Sequence, residues 1–506
     1  MAAPCPDRQK PPSELYVSIS HDSIEMATHE ANPTAQSPRR LDVHAGIDLG
    51  TTDDLPHDLR VSKKLDMAMK EREALDMSAV NVSSKFLGAV WKDAYKEICN
   101  RVKDIDKLAQ PQVVITVAVP VGWPAALGKG YIRPIKAEAT GIAIMSTPLD
   151  HQGNLQNSAF QVGDTVIICD CGGGTTDLVS YQVVSLQPFA LQETSPGKCI
   201  FAGEGVLLNE TFLDLVRDKA KRQCTKRTFK DLTNKDYHEL MESIWDHNLR
   251  TINFPCGESA SFLLPVTFLG HQVRLQPRAA PPESLYMTFT ADEVNRVFDT
   301  VIDPIIDLVK SEMSLVSRET RHQAKHLVMA GGLSSNQYLR DKMRIMANET
   351  SPLTNIVWLE GDQGQTAVAR GAVYHGIQGN SQSNQPIVQI HARASREGYG
   401  LESSADRIIL WLVKPGEELS VGGQNRRPVP PQAVRHGRDG CFYVNMYRQE
   451  GPNAIPGFAS CLSWNAVGEL QNLEFNFHWD CTRMHYVLLY QGNQQVPLTI
   501  ENYYDL

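Results

Sequence analysis

Two stretches of this chain set an aspartate, glycines and threonines in the same order. Asp48-Leu49-Gly50-Thr51-Thr52 follows the apolar run beginning at Val43, and Asp170-Cys171-Gly172-Gly173-Gly174-Thr175-Thr176-Asp177 follows the run beginning at Val166. The chemistry this pattern offers is anion binding beside a hard cation. Glycine lets the backbone turn sharply and lets its N–H groups come close to a ligand. A concave run of such N–H groups suits a phosphate. Threonine hydroxyls add donors, and a carboxylate at a strand end can hold Mg2+ through the waters that this ion keeps. Two such turns facing each other would clamp the phosphates of a nucleotide. A third segment repeats the strand-then-glycine design: His326-Leu327-Val328-Met329-Ala330 runs into Gly331-Gly332-Leu333-Ser334, with a helix expected from about Ser335.

The first motif alone is a short pattern that chance supplies. Three consecutive glycines after a buried strand are rarer, because glycine weakens a strand unless something needs the space. No G-x-x-x-x-G-K-[ST] sequence is present, which disfavours a P-loop NTPase. No G-x-G-x-x-G opens a helix after a strand, which disfavours a dinucleotide fold.

The elements that must position these residues are legible from periodicity. Val43 onward, Val113 to Val119, Val166 to Asp170, Leu178 to Val184 and His326 to Ala330 read as strands, several of them apolar on both faces. Lys85 to Val102, Gly205 to Lys221, Lys235 to Arg250, Ala291 to Val316 and Gln365 to Tyr374 read as helices. Lys129 to Thr140 reads as another helix, interrupted at Pro134, and Pro304 is expected to kink the long helix. After Ile387 short aromatic and β-branched runs recur at Ile408 to Val413, Cys441 to Tyr447, Leu473 to Trp479 and Met484 to Tyr490, so this end reads as all-β. Its aromatics Trp411, Phe442, Tyr443, Trp464, Phe475, Phe477 and Trp479 are expected in a core.

The domain plan that follows is a disordered tail over 1–41, a nucleotide-binding domain over 42–378, a polar linker over 379–386 and a β-rich region over 387–506. At roughly 150 residues per domain, 506 residues agree with about three units. Lys+Arg 49 against Asp+Glu 58 leaves a net charge of -9, which argues against a generally basic nucleic-acid binder. The most apolar run, Val113 to Trp123, is too short to span a bilayer, so no membrane partner is expected. Ten cysteines without a C-x-x-C pair argue against a zinc finger or redox motif. Cys169 and Cys171, on one side of a strand, are expected to pack in the core rather than bind metal. With no secretory signal read at the start, the expected location is cytoplasmic.

The three glycine segments, in this order, resemble the nucleotide-binding domain of the 70-kDa heat-shock protein (DnaK-type) family, within the actin-like ATPase superfamily. Asp48 to Thr52 is similar to the first phosphate motif and Asp170 to Asp177 to the second. Val328 to Ser334 with Tyr338-Leu339 is similar to the adenosine motif. Thr366-Ala367-Val368-Ala369-Arg370-Gly371-Ala372 is similar to the alanine-rich helix that closes the domain. Val113 to Trp123 resembles a segment of a divergent branch, and Phe201-Ala202-Gly203-Glu204-Gly205 resembles the glycine turn that faces adenosine.

The resemblance implies an α/β fold, a two-lobed actin-like ATPase (ribonuclease H-like) domain followed by a C-terminal β-rich region. It implies ATP or ADP with Mg2+ at the cleft floor. Asp48 and Asp170 would hold Mg2+ through water. Gly50, Thr51 and Thr52 would line the γ-phosphate side, Gly172, Gly173, Gly174 and Thr175 the other phosphates, and Gly203, Gly331, Gly332 and Ser334 the adenosine. It also implies extended or unfolded polypeptide clients and co-chaperones as partners.

Two departures bear on catalysis. The stretch after Thr52, beginning Asp53-Asp54-Leu55-Pro56, lacks the rest of the family's phosphate hairpin and with it the lysine that reaches the γ-phosphate. Ser146-Thr147-Pro148 stands where the family has Glu-Pro, and that glutamate helps position magnesium and the attacking water. Phosphoryl transfer depends almost entirely on positioning and charge neutralisation. The expectation is nucleotide binding with impaired hydrolysis. The alternatives are a catalytically inactive scaffold of the same fold and a small-molecule kinase of the same superfamily.

Overall fold

The computed structural model describes residues 15–19, 40–48, 79–105, 110–118, 160–200, 206–223, 259–263, 286–359, 362–380, 388–421, 423–450, 454–465, 472–480, 483–491 and 494–501, with isolated positions 70, 74, 75, 77, 141 and 245. They form a mixed α/β structure with several sheets.

A three-stranded sheet comes first. Strand β1 (Leu15–Ile19) runs antiparallel to β2 (Arg40–Asp48), which runs parallel to β3 (Gln110–Ala118). Parallel neighbours need a crossover, and helix α1 (Ala79–Ile105) lies between β2 and β3 in the chain. Ile98 and Val102 of α1 pack on Val43 of β2, with Trp91 and Val113 against them. The segment expected to be a disordered tail thus contains a strand. Leu-Tyr-Val-Ser-Ile is rich in β-branched and aromatic residues, and the Pro, Ser and charge around it masked that signal in the composition.

The second sheet carries the glycine-rich motifs. Its strands are β4 (Thr165–Cys171), β5 (Thr176–Leu186), β6 (Phe189–Glu193) and β7 (Lys198–Ile200). Helix α2 (Val206–Gln223), the hairpin β8 (Ser259–Leu263) with β9 (Tyr286–Thr290), and helix α3 (Ala291–Thr320) follow. The sheet resumes with β10 (His326–Ala330), and after helix α4 (Gln337–Thr350) with β11 (Asn355–Trp358). Helix α5 (Asp362–Asn380) leads on to β12 (Gln389–Ala394). The hairpins β4–β5 and β5–β6 are antiparallel, and β10 runs parallel to both β4 and β11.

Both faces of this sheet are covered, which explains why β4 is buried at every residue. On one face Ile167, Cys169, Cys171 and Leu178 meet α2 and α3 through Phe212, Val301, Ile305 and Val309. On the other, Val166, Ile168, Val179 and Val328 meet Ala367 of α5. Helix α3 starts where the sequence says it should. Thr290 accepts from the Glu293 N–H, and the Glu293 side chain accepts from the Thr290 N–H, a reciprocal capping box. Pro304 lies inside this helix, which continues to Thr320.

Beyond β12 the described strands pair antiparallel. They are β13 (Glu397–Glu402), β14 (Ile409–Val413), β15 (Glu418–Ser420), β16 (Asn425–Pro428), β17 (Arg435–His436), β18 (Cys441–Glu450), β19 (Gly457–Asn465), β20 (Leu473–Asp480), β21 (Arg483–Tyr490), β22 (Gln494–Val496) and β23 (Thr499–Glu501). Two sheets, ordered β14-β13-β18-β19-β23 and β16-β20-β21-β22, share one core of Leu401, Val444, Leu462, Phe475, Phe477 and Leu488, among others. Phe442 and Trp464 join that core, as expected of them, while Trp411 and Tyr443 are only half-buried.

The second sheet does not end at the segment expected to be a linker. Helix α5 extends to Asn380, residues 381–387 lie outside the described set, and β12 then pairs in parallel with β6. Strand β15 closes that edge. Glu193 of β6, its side chain fully buried, accepts from the Ala394 N–H at 3.0 Å and from Arg396 at 2.9 Å. The helices expected over Lys129 to Thr140 and Lys235 to Arg250 lie outside the described residues, apart from Trp245, which stacks on Phe212 at 4.5 Å.

Candidate functional site

The second phosphate motif folds as a tight connection between β4 and β5. Cys171 and Thr176 are paired, and the turn between them is closed by the Gly172 N–H donating to the Thr175 carbonyl at 2.9 Å. Among the described residues no atom lies within 4 Å of a Cβ added at Gly173, so the tip of the turn is open on that side. Asp170 and Asp177 are directly opposite in the ladder and so share one face. Both are buried. Thr175 is buried too, and its hydroxyl donates to the Asp177 carboxylate at 2.9 Å, so this expected donor is turned towards Asp177.

Ala330, the last residue of β10, is the registered neighbour of Asp170. The residue after it, Gly331, therefore sits over the end of β4. Its φ of 82° and ψ of 167° belong to a region that is essentially glycine-only. A Cβ there would lie 2.2 Å from the Cys171 carbonyl oxygen and 2.8 Å from Asp170 Oδ1. The third glycine segment is thus packed onto the second, as close as a backbone without a side chain allows. Gly332 to Ser335 form a 3-10 turn, and α4 starts beyond it with Asn336 as its cap, its side chain accepting from the Leu339 N–H. Ser334 is buried, and its hydroxyl donates to the Gly331 carbonyl at 2.7 Å, which holds the turn closed.

Helix α5 joins this arrangement to the first sheet. The Gly331 N–H donates to the Gly364 carbonyl in its first turn at 3.1 Å. Ala367 packs in the core that contains Ala330, while Val368 and Ala372 pack on Ala118. Ala118 is the registered partner of Asp48 in the β2–β3 ladder. One small-residue helix therefore links the strand ending in Asp48 to the strand ending in Asp170. The Asp48 backbone ends β2, but its side chain, with Gly50, Thr51, Thr52 and Gly203, lies outside the described residues, as do Ser146 to Pro148.

Cys169 and Cys171 point to the other face, into the core against α3, with their Sγ atoms 3.7 Å apart. The hydrogen bond to Cys171 and burial hold the Cys169 thiol well above its ordinary range, which keeps it protonated and a poor metal ligand. No group of three or more His, Cys, Asp or Glu side chains suited to one metal occurs among the described residues.

The sequence did not single out a polar cluster behind the same turn. Glu312 of α3 is fully buried and accepts from Ser180 of β5 at 2.6 Å and from Ser195, while Lys198 of β7 sits 3.1 Å away. The available signal was a carboxylate on the apolar stripe of a helix, among Leu308, Val309, Met313 and Val316. The cluster fixes β7, the strand that leads towards Gly203.

Comparison with protein-family models and with curated proteins finds no match to this chain. No helix among the described residues is long and apolar enough to cross a membrane.

Proposed function

We propose that this chain is an ATP- or ADP-binding protein of heat-shock-70 type, with the magnesium nucleotide held between two Asp/Gly/Thr turns in the cleft of an actin-like ATPase domain. The observation that carries the reading is the contact of Gly331 with the Asp170 strand end. It brings two glycine turns from distant parts of the sequence together, where adjoining parallel strands end. The residues present fit the ligand. The space above Gly173 is open among the described residues, and the Asp170 carboxylate stands at the strand end beside Gly331, where it would hold the waters of Mg2+.

In this reading the turn that the Gly172 N–H closes presents the N–H groups of Gly173, Gly174 and Thr175 to phosphate oxygens, with Gly50, Thr51 and Thr52 opposite. Asp48 and Asp170 hold the ion's waters. Gly203, Gly331, Gly332 and Ser334 border adenine and ribose. Bound Mg2+ would supply charge neutralisation at the phosphates. With no lysine or glutamate in the family's catalytic places, hydrolysis is slow or absent. The partners are extended polypeptides and co-chaperones, and the location is cytoplasmic. The buried aromatics of the β-sandwich form its core, so a client would engage its edges or loops.

The test is a melting experiment with purified protein. Millimolar ATP or ADP with Mg2+ raises the melting temperature, and no rise with either nucleotide refutes the reading. A turnover assay beside it separates an ATPase from a scaffold that binds without hydrolysis. ATP consumption only in the presence of a polyol would favour a small-molecule kinase instead.

A further inference from the structure

Remote from the glycine turns, the β20–β21 hairpin carries a second arrangement with chemical content. His478 and His485 are directly opposite in its ladder. Their rings stack with centroids 5.8 Å apart and planes 26° from parallel. Phe477 and Leu488 point into the sandwich core, so alternation turns the two histidines to the outer face. His485 is exposed and His478 half-buried. The register is fixed by eight consecutive pairs from Leu473–Tyr490 to Asp480–Arg483. The backbone therefore holds the two imidazoles together before any ligand arrives.

We propose that His478 and His485 chelate a late first-row divalent ion of the Zn2+ or Cu2+ class, one nitrogen from each ring, with water completing the coordination. Imidazole suits these metals, whereas Mg2+ takes oxygen ligands. Zn–N bonds of about 2.0–2.1 Å place two coordinating nitrogens about 3.4 Å apart in a tetrahedral site. The ring centroids already stand 5.8 Å apart on registered strands, so only side-chain torsions would have to change to bring two ring nitrogens to that separation. Because the strands pre-organise the pair, the second histidine binds as an intramolecular event. The ion would pin β20 to β21 from outside the core.

The test uses the full chain, stripped with EDTA and returned to a non-coordinating buffer. ZnCl2 or CuCl2 is titrated by calorimetry against the parent, H478N, H485N and the double variant. The comparison is needed because the chain has 15 histidines. The parent shows a site that each single variant weakens by on the order of a hundredfold, and the double variant lacks the site. Cu2+ spin resonance shows two imidazole nitrogens in the parent and one in each single variant. Should H478N fail to match the parent's melting in EDTA, H478Q takes its place. Equal affinity in parent and either single variant overturns the proposal. So does a halved stoichiometry at unchanged affinity in each single variant, the pattern of two independent histidines.

Discussion

Gly331 and Asp170, 161 positions apart in the chain, are in contact across the top of one sheet: a Cβ on Gly331 would stand 2.8 Å from the Asp170 carboxylate. This contact sets the first prediction. Gly331→Ala must adopt a glycine-only backbone conformation and push against the Cys171 carbonyl, costing about 1–3 kcal/mol from the conformation alone. Its melting temperature falls with and without nucleotide.

Gly173→Ala separates binding from stability. Space is open at Gly173 among the described residues, so the variant melts close to the parent when no nucleotide is present. The added methyl occupies the proposed phosphate approach, and the rise in melting temperature on adding Mg-ATP shrinks or disappears. An unchanged rise would remove the turn from the ligand site.

Glu312 is fully buried with Ser180, Ser195 and Lys198 around it. Glu312→Ala leaves two hydroxyls and an ammonium without their common acceptor. Removing one partner of a buried ion pair costs about 3–5 kcal/mol. Lys198→Met costs at least as much, because it strands a fully buried carboxylate, whereas the lysine that Glu312→Ala leaves behind is 33% exposed. Denaturant titration of the two variants checks the order.

His326 gives the stability a pH dependence. Burial lowers its pKa below the ordinary 6.5, against an opposing pull from Asp164 at 3.6 Å, and Lys325 lowers it further. The folded state therefore prefers the neutral imidazole. Its contribution is present above pH 6.5 and is lost as pH falls through the lower folded value. His326→Gln should flatten the melting-temperature profile on the acid side of neutrality, and an unchanged slope would assign that dependence to carboxylates elsewhere.

Glu193 ties β6 to the strand that begins the C-terminal region, through Ala394 and Arg396. Glu193→Ala takes this carboxylate from the buried Arg393, 3.9 Å away, and from the half-buried Arg396. We expect one calorimetric transition in the parent and two in the variant, with the sandwich core melting separately. A single transition in both would mean that strand pairing alone couples the two parts.

The glycine-rich motifs, the strands leading into them, the long helix from Ala291 and the all-β end were legible in the sequence because each rests on local rules. Backbone freedom at Gly172 to Gly174, alternation in β18 to β21 and the helical spacing of Val294, Val297, Phe298 and Val301 are properties of neighbouring residues. Other features depended on which strands lie side by side. The sequence could not tell that β12, beyond a polar segment, would extend the β6 edge, because pairing energy comes from a partner about two hundred residues away. Nor could it show that α5 touches both Ala118 and Ala330, that Thr175 turns to Asp177, or that Glu312 finds two serines. Local chemistry determined what kinds of turn this chain makes. Only the tertiary structure decided which turns meet, since a contact between distant residues is set by the packing of whole sheets and helices rather than by either residue's own preference.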